Sequence, residues 1–309
     1  NRYQAYQLDT AAVLALVLVA VTAVILTLEQ RSRGNNRYAR LSSGAARQHP
    51  ITRLGVWKVP ALAFVGSVVF FSLLVPVAGL AYWFWRGWNQ DFAVRDLTAP
   101  QNNLHSMSSL LQPAFNSLSA SLLGALLAVA LALPVAILVV RRPGKLSRFF
   151  EQVTYASFAL PGIVVALAFV FFGTNYARSL YQTLPMMLAA YVILFIPQAV
   201  GAQRASLLQV PPSLEEAGRS LGKRPFANFC AITLPLVRPG ILAGGALVFL
   251  TCMKELPATL ILSPLGFSTL AAQIWSSIGE AFFARAAAPT LLLLLLSSVP
   301  LAILTLRDK

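Results

Sequence analysis

Acidic residues are scarce in this chain: Asp and Glu together number ten among 309 residues, and all charged residues make up 11%, whereas an ordinary soluble domain carries about 25%. Cysteine and histidine number two each. Cys230 and Cys252 lie far apart, with no CxxC and no His cluster beside them, which argues against both a zinc framework and a disulfide scaffold. His49 and His105 are isolated in polar segments and read as solvated side chains. There is no HExxH, no GxSxG and no nucleophile with its base, so nothing argues for catalysis. No cluster of Tyr, Asp or Glu with oxygen-ligand geometry can be identified, so the sequence does not name a solute; no metal site and no cofactor are expected.

What is abundant is hydrocarbon. Hydrophobic residues make up 57% of the chain and the mean hydropathy is +0.70. Apolar runs of about 20 residues are long enough to span a bilayer. An all-α polytopic helix bundle in lipid is therefore the expected fold class, with a soluble protein of several fully buried helices as the alternative. A net charge of +14 would suggest nucleic acid if it lay on one soluble face. The Lys and Arg residues fall instead in short connections between apolar runs, as the positive-inside rule requires, so no nucleic-acid partner is expected.

About seven spans can be read in order. Thr10 to Leu28 is apolar and uncharged, and a basic linker to Lys58 follows with Arg31, Arg33, Arg37, Arg40, Arg47 and Arg53. The second span, Val59 to about Tyr82, ends in Trp83, Phe84, Trp85 and Trp88, an aromatic belt. A polar loop from Asp91 to Gln112 precedes a third span, Ser117 to Val140. Along that span Gly124, Ala128, Ala132 and Ala136 form a stripe that would let another helix approach closely. Gln152 to Phe172 is the fourth span, interrupted by Leu160-Pro161-Gly162. Leu184 to Val200, Pro239 to about Leu262 and Ala286 to Leu306 complete the set.

Charge orients them. Of the 24 Lys and Arg residues, 18 lie in the four intervals placed on the cytoplasmic side, given an external first residue and a cytoplasmic C-terminus. The chain opens Asn1-Arg2-Tyr3 and reads as a fragment of a longer one, not as a protein freed of a signal peptide.

One long polar interval, Val210 to Pro239, separates the apolar segments of the second half. Pro211-Pro212 stops the preceding helix, and Ser213-Leu214-Glu215-Glu216 has the form of a capping box, with Ser213 and Glu216 each bonding the other's amide. Leu214, Ala217, Gly218 and Leu221 then share one small apolar face. Gly222 is placed to end the helix. Pro225 can start a second short helix bearing Phe226, Phe229 and Cys230 on one face, which Leu234-Pro235 should break. Gly218 to Lys223 is not a phosphate loop, because the glycines are too close and Arg224 stands where Ser or Thr would bind magnesium.

Glu216-Ala217-Gly218, three residues, Gly222, nine residues, then Ile232-Thr233-Leu234-Pro235 resembles the EAA loop of binding-protein-dependent ABC importer permeases. Gly218 replaces the second Ala, a small-for-small change expected to leave the docking face open. Asn116-Ser117-Leu118, Leu160-Pro161-Gly162, Lys254 to Leu260 (KELPATL) and Pro264 to Ala271 resemble the ferric-iron branch. The resemblance implies a type I ABC importer permease fold and a transport subunit, not an enzyme, in the bacterial inner membrane. Its implied partners are a cytoplasmic ATPase dimer, an extracytoplasmic substrate-binding protein and a second permease half, fused upstream.

On this resemblance residues 1–28 are the last helix of a preceding half, 29–58 a cytoplasmic linker and 59–309 a six-helix permease domain. Its transmembrane core is about 113–306 and its coupling loop 204–239. Leu214, Glu216, Ala217, Gly218, Leu221, Gly222, Ile232, Leu234 and Pro235 are the implied ATPase-coupling residues. Lys254 and Glu255, near the outer part of the sixth span, are costly in a bilayer and therefore face protein or water, with separate partners; lining the translocation path and a structural role both remain open. Thiamine, polyamine or another small solute is the alternative cargo. A secondary transporter is the alternative class, disfavoured by the few buried acids.

Overall fold

The computed structural model describes residues 55–89 and 107–307, together with Val13, Val17, Ala20, Val21 and Val24, which are helical. Most of the first expected span, most of the basic linker and most of the polar loop, with His105, lie outside the described residues. No strand occurs among the residues that are described.

Among the described residues, five helices are long and apolar enough to cross a membrane: α1 (Gly55–Gly87), α2 (within Met107–Arg141), α5 (Leu184–Gln209), α7 (Pro225–Lys254) and α10 (within Phe283–Arg307). A bent pair, in which α3 (Lys145–Ala156, continued by the turn Ser157–Ala159) meets α4 (Gly162–Tyr176) at 107°, has the length and composition of a broken span or a re-entrant loop. The expected fourth span is thus not one interrupted helix. Leu160 and Pro161 are extended, with ψ of 120° and 139°, because proline disfavours the helical conformation in the residue before it. Three short helices complete the chain: α6 (Pro212–Ser220), α8 (Pro257–Leu262) and α9 (Leu270–Gly279).

Two further boundaries move. The sixth span starts earlier than Pro239 and ends at Lys254, and Leu234-Pro235 does not break it. A π turn at Phe229–Thr233 lets the Leu234 amide reach the Phe229 carbonyl, which absorbs the proline that follows. The same device stands before Pro76, where Phe70–Leu74 is a π turn and the Val75 amide bonds the Phe70 carbonyl. Glu255 is extended and ends α7, so Pro257–Leu262 forms a separate helix.

The core is α2, α5 and α7. The expected small-residue stripe is real, with Ala128, Ala132 and Ala136 fully buried and Gly124 packed against Tyr191 and Cys252. A second stripe lies on α7: a Cβ at Gly240 would come within 2.8 Å of the Ala202 carbonyl, and one at Gly244 within 3.1 Å of the Ala199 Cα. Small residues at four-residue spacing let helix backbones touch where no hydrophobic force drives them together. Polar links tie the same helices, since Gln203 Nε2 donates to the Val129 carbonyl (3.0 Å) and Thr251 Oγ1 to Gln198 Oε1 (3.0 Å). The α1 helix, in contrast, has no buried residue and meets α10 through Trp83 on Phe283 and Gly87 on Ala284.

These contacts predict opposite outcomes for two neighbouring glycines. Gly240→Ala should destabilise the purified permease by about 1–3 kcal/mol, the usual cost of overpacking. Gly245→Ala, whose Cβ would meet only Val129 at 3.4 Å, should lie within about 0.5 kcal/mol of wild type. Thermal unfolding in detergent would check both.

Candidate functional site

The polar interval folds back on the ends of the core helices. The α5 helix runs to Gln209, Pro212 occupies the first turn of α6, and Pro225 occupies the first turn of α7. The expected capping box does not form, because the helix begins two residues early: Pro211 is the cap, no side chain caps it, and Ser213 lies inside the first turn. The C-terminus behaves as expected. Gly222 has φ +80°, the Lys223 amide bonds the Gly218 carbonyl (3.2 Å), and the Gly222 amide bonds the Arg219 carbonyl (2.9 Å). That double closure needs a left-handed residue, which glycine adopts without strain.

One carboxylate organises the inner side of α6. Glu215 Oε1 lies 2.8 Å from Arg141 Nη2, receives Arg141 Nε at 3.0 Å and receives Thr233 Oγ1 at 3.1 Å. Arg141 Nη2 also donates to the Val210 carbonyl (3.1 Å), and Asn228 Nδ2 donates to the Glu215 carbonyl (2.8 Å). The two charged side chains are 17% and 14% exposed. The cytoplasmic end expected for α2, the loop before α6, α6 itself and the start of α7 therefore share a single polar node.

Three residues after Glu215, Gly218 is buried on the same side. A Cβ there would lie 1.9 Å from Asn228 Oδ1 and 2.6 Å from Ile232 Cδ1. The departure from the second Ala of the motif thus has a packing cause, and the expectation that Gly218 opens the docking face is corrected: it seats α6 against α7. Ile232 and Leu234 are half-buried on that side, and Pro235 is exposed.

The other side of α6 is bare. Leu214, Glu216 and Ala217 are exposed, Leu221 is 82% exposed, and Phe226 on the adjoining turn is 79% exposed. The Glu216 carboxylate has no hydrogen bond or ion pair among the described residues. Sequence reasoning identified this outer face and missed the inner one. The available signal was Glu215 itself, an acid beside a run of cations in a chain with only ten acids.

Lys254 and Glu255 sit at the break between α7 and α8, and they do have separate environments. Glu255 Oε1 accepts the Ala258 amide (3.1 Å) and lies against Gly162, where a Cβ would come within 2.9 Å of it. Lys254 is exposed. Thr259 Oγ1 bonds both the Glu255 carbonyl (2.7 Å) and the buried Tyr191 hydroxyl. The break at Leu160-Pro161-Gly162 and the break at Glu255 therefore meet. Two other segments singled out in the sequence also meet: Asn116 Nδ2 donates to the Ser268 carbonyl (2.9 Å), and the Leu270 amide donates to Ser117 Oγ (2.8 Å).

The described residues thus form a bundle of membrane-length helices with a short polar helix pinned between their ends. Residues 120–309 match the family of binding-protein-dependent transport system inner membrane components. The chain is 36% identical over 307 residues to the Fe(3+)-transport system permease protein FbpB 2 of Haemophilus influenzae, covering 98% of this chain and 58% of that protein. It is 28% identical over 149 residues to PhnV of Salmonella typhimurium, named as a putative 2-aminoethylphosphonate transport system permease, covering 48% and 56%. It spans a little over half the length of each relative. In fold it is similar to the MetNI methionine ABC transporter in an inward-facing conformation, with a TM-score of 0.52 at 18% identity over 64% of this chain and 94% of that one. The chain belongs to the binding-protein-dependent transport family of inner-membrane permeases, and it is a multi-pass membrane protein with the ABC importer permease fold.

The polar node predicts a thermodynamic cycle. Glu215→Gln and Arg141→Gln should each destabilise the fold by about 3–5 kcal/mol, because each strands one member of a largely buried pair. The double variant should cost clearly less than the sum of the two. Chemical unfolding of the four proteins would measure the coupling, and additive losses would count against the node.

Proposed function

We propose that this chain is the membrane-spanning part of an ATP-driven importer of ferric iron, and that α6 is the helix through which a cytoplasmic ATPase dimer drives it. The observation that carries this reading is the division of α6 into two faces. Glu215 and Gly218 bind it to α2 and α7, while Leu214, Ala217, Leu221 and the unpaired Glu216 carboxylate face outward. Exposed apolar side chains rimmed by charge are the form of a docking patch. A helix held this way transmits displacement as a rigid body, and subunit rotation in the ATPase becomes a shift of the span ends.

The assignment of ferric iron rests on similarity to a permease named for that ion along almost the whole chain; the phosphonate relative covers about half of it. In this reading a substrate-binding protein delivers the solute at the outer face, and a second permease half completes the pathway. Residues 1–28 form the last helix of that other half, 29–58 form a cytoplasmic linker, and 59–309 form the six-helix domain, with the first residue external and the C-terminus cytoplasmic. Glu255 lines the path where the two broken segments meet, while Lys254 lies beside it.

Leu221→Asp and Glu216→Gln should leave the thermal midpoint of the permease unchanged, since both residues are exposed and the Glu216 carboxylate has no partner among the described residues. Leu221→Asp should lower iron uptake by reconstituted vesicles about tenfold or more, the scale of losing an interface anchor. Glu216→Gln should lower it too; full uptake and full ATPase association in that variant would remove the carboxylate from the coupling role. Uptake of 2-aminoethylphosphonate in place of iron would overturn the solute.

A further inference from the structure

Beneath α6, between it and the ends of α2 and α7, is a cavity of about 330 Å³. Its charged lining is Arg141, Arg142, Arg219 and Glu215. Glu215 is matched by Arg141, so the uncompensated charge belongs to Arg142 and Arg219, which are exposed and have no ion pair or hydrogen bond from their side chains among the described residues. The remaining wall is mixed: Ile137, Leu138, Leu207 and Phe229 are apolar, and Thr233 and Asn228 are polar. Asn228 is 3% exposed.

Position adds to composition. Arg141 ends the stretch of α2 that is long and apolar enough to cross a membrane, and a cavity at the end of such a stretch is placed to meet headgroups. A basic pocket between span ends, with an apolar floor, matches an anionic lipid in both charge and polarity gradient. The volume lies at the low end of ligand sites, which run from about 300 Å³ upward, and it suits a headgroup rather than a whole lipid. Lys145 and Arg148, close by in the sequence, do not line it.

We propose that this cavity is a binding site for the phosphate of an anionic phospholipid, held by Arg142 and Arg219 with Arg141 behind them. Such a lipid bridges α2, α6 and the start of α7, the three elements that Glu215 already joins. The lipid therefore reinforces the seat of α6. The inference does not depend on iron or on the ATPase, and its test uses neither.

Native mass spectrometry of the full-length permease with phosphatidylglycerol measures the affinity directly, alongside thermal unfolding in nanodiscs of phosphatidylcholine with and without phosphatidylglycerol. Wild type should bind phosphatidylglycerol selectively and unfold at a higher temperature in its presence. The R142Q/R219Q variant should bind roughly 30-fold more weakly, on the scale of about 1 kcal/mol per cation near a membrane surface, and should lose the thermal shift. The K145Q/R148Q variant should keep both. Equal losses in the two variants would reduce the effect to general surface charge and overturn the site. Reproduction of the thermal shift by inorganic phosphate in phosphatidylcholine discs would assign the cavity to a free anion and overturn the lipid.

Discussion

The Glu215 carboxylate is the contact on which the α6 end of the structure depends. Its Oε1 collects Arg141 from the end of α2 and Thr233 from the start of α7, and its own backbone carbonyl is held by Asn228. In an environment this shielded, charge-assisted hydrogen bonds are strong, and a stranded partner is costly. The node therefore gives α6 a defined position relative to two core helices, where a polar loop of the same composition would otherwise sample many.

The core to which α6 is fastened is stiff for a different reason. Gly124 and the alanines of α2, with Gly240 and Gly244 of α7, bring backbones into direct contact, so displacement of one helix end is not absorbed by side-chain rearrangement. The regular helices are interrupted at two points. Leu160-Pro161-Gly162 and Glu255 interrupt two membrane segments, and Glu255 Oε1 spans the junction between them. A rigid three-helix core flanked by two touching breaks is suited to a few discrete arrangements.

Much of this was legible in the sequence because bilayer physics leaves few options: apolar runs gave the helices, cations gave their expected orientation, and four-residue spacing gave the buried stripe. Spacing also exposed the EAA-like loop and the outer face bearing Leu214, Ala217 and Leu221. What escaped was set by contacts distant in the chain. No local pattern could pair Glu215 with Arg141, and the capping-box reading of Ser213 failed because Pro212 starts the helix first. Gly218 looked like an open docking position, although Asn228 and Ile232 occupy the space where its Cβ would be. The prolines misled in both directions: at Pro161 the chain turns by more than a right angle between α3 and α4, whereas Pro235 passes unbroken because the preceding π turn accommodates it.

The central claim is that the outer face of α6 meets an ATPase in the cytoplasm. Site-directed cross-linking tests it most directly, using Leu221→Cys in a background where exposed Cys230 is replaced by Ser, in native membranes containing the partner ATPase. The account predicts that the introduced thiol labels with an impermeant maleimide only from the cytoplasmic side. It also predicts that this thiol cross-links to the ATPase, and that the yield changes between nucleotide-free and ATP-bound states. Labelling from the external side, or labelling without any cross-link to the ATPase in either state, would contradict it.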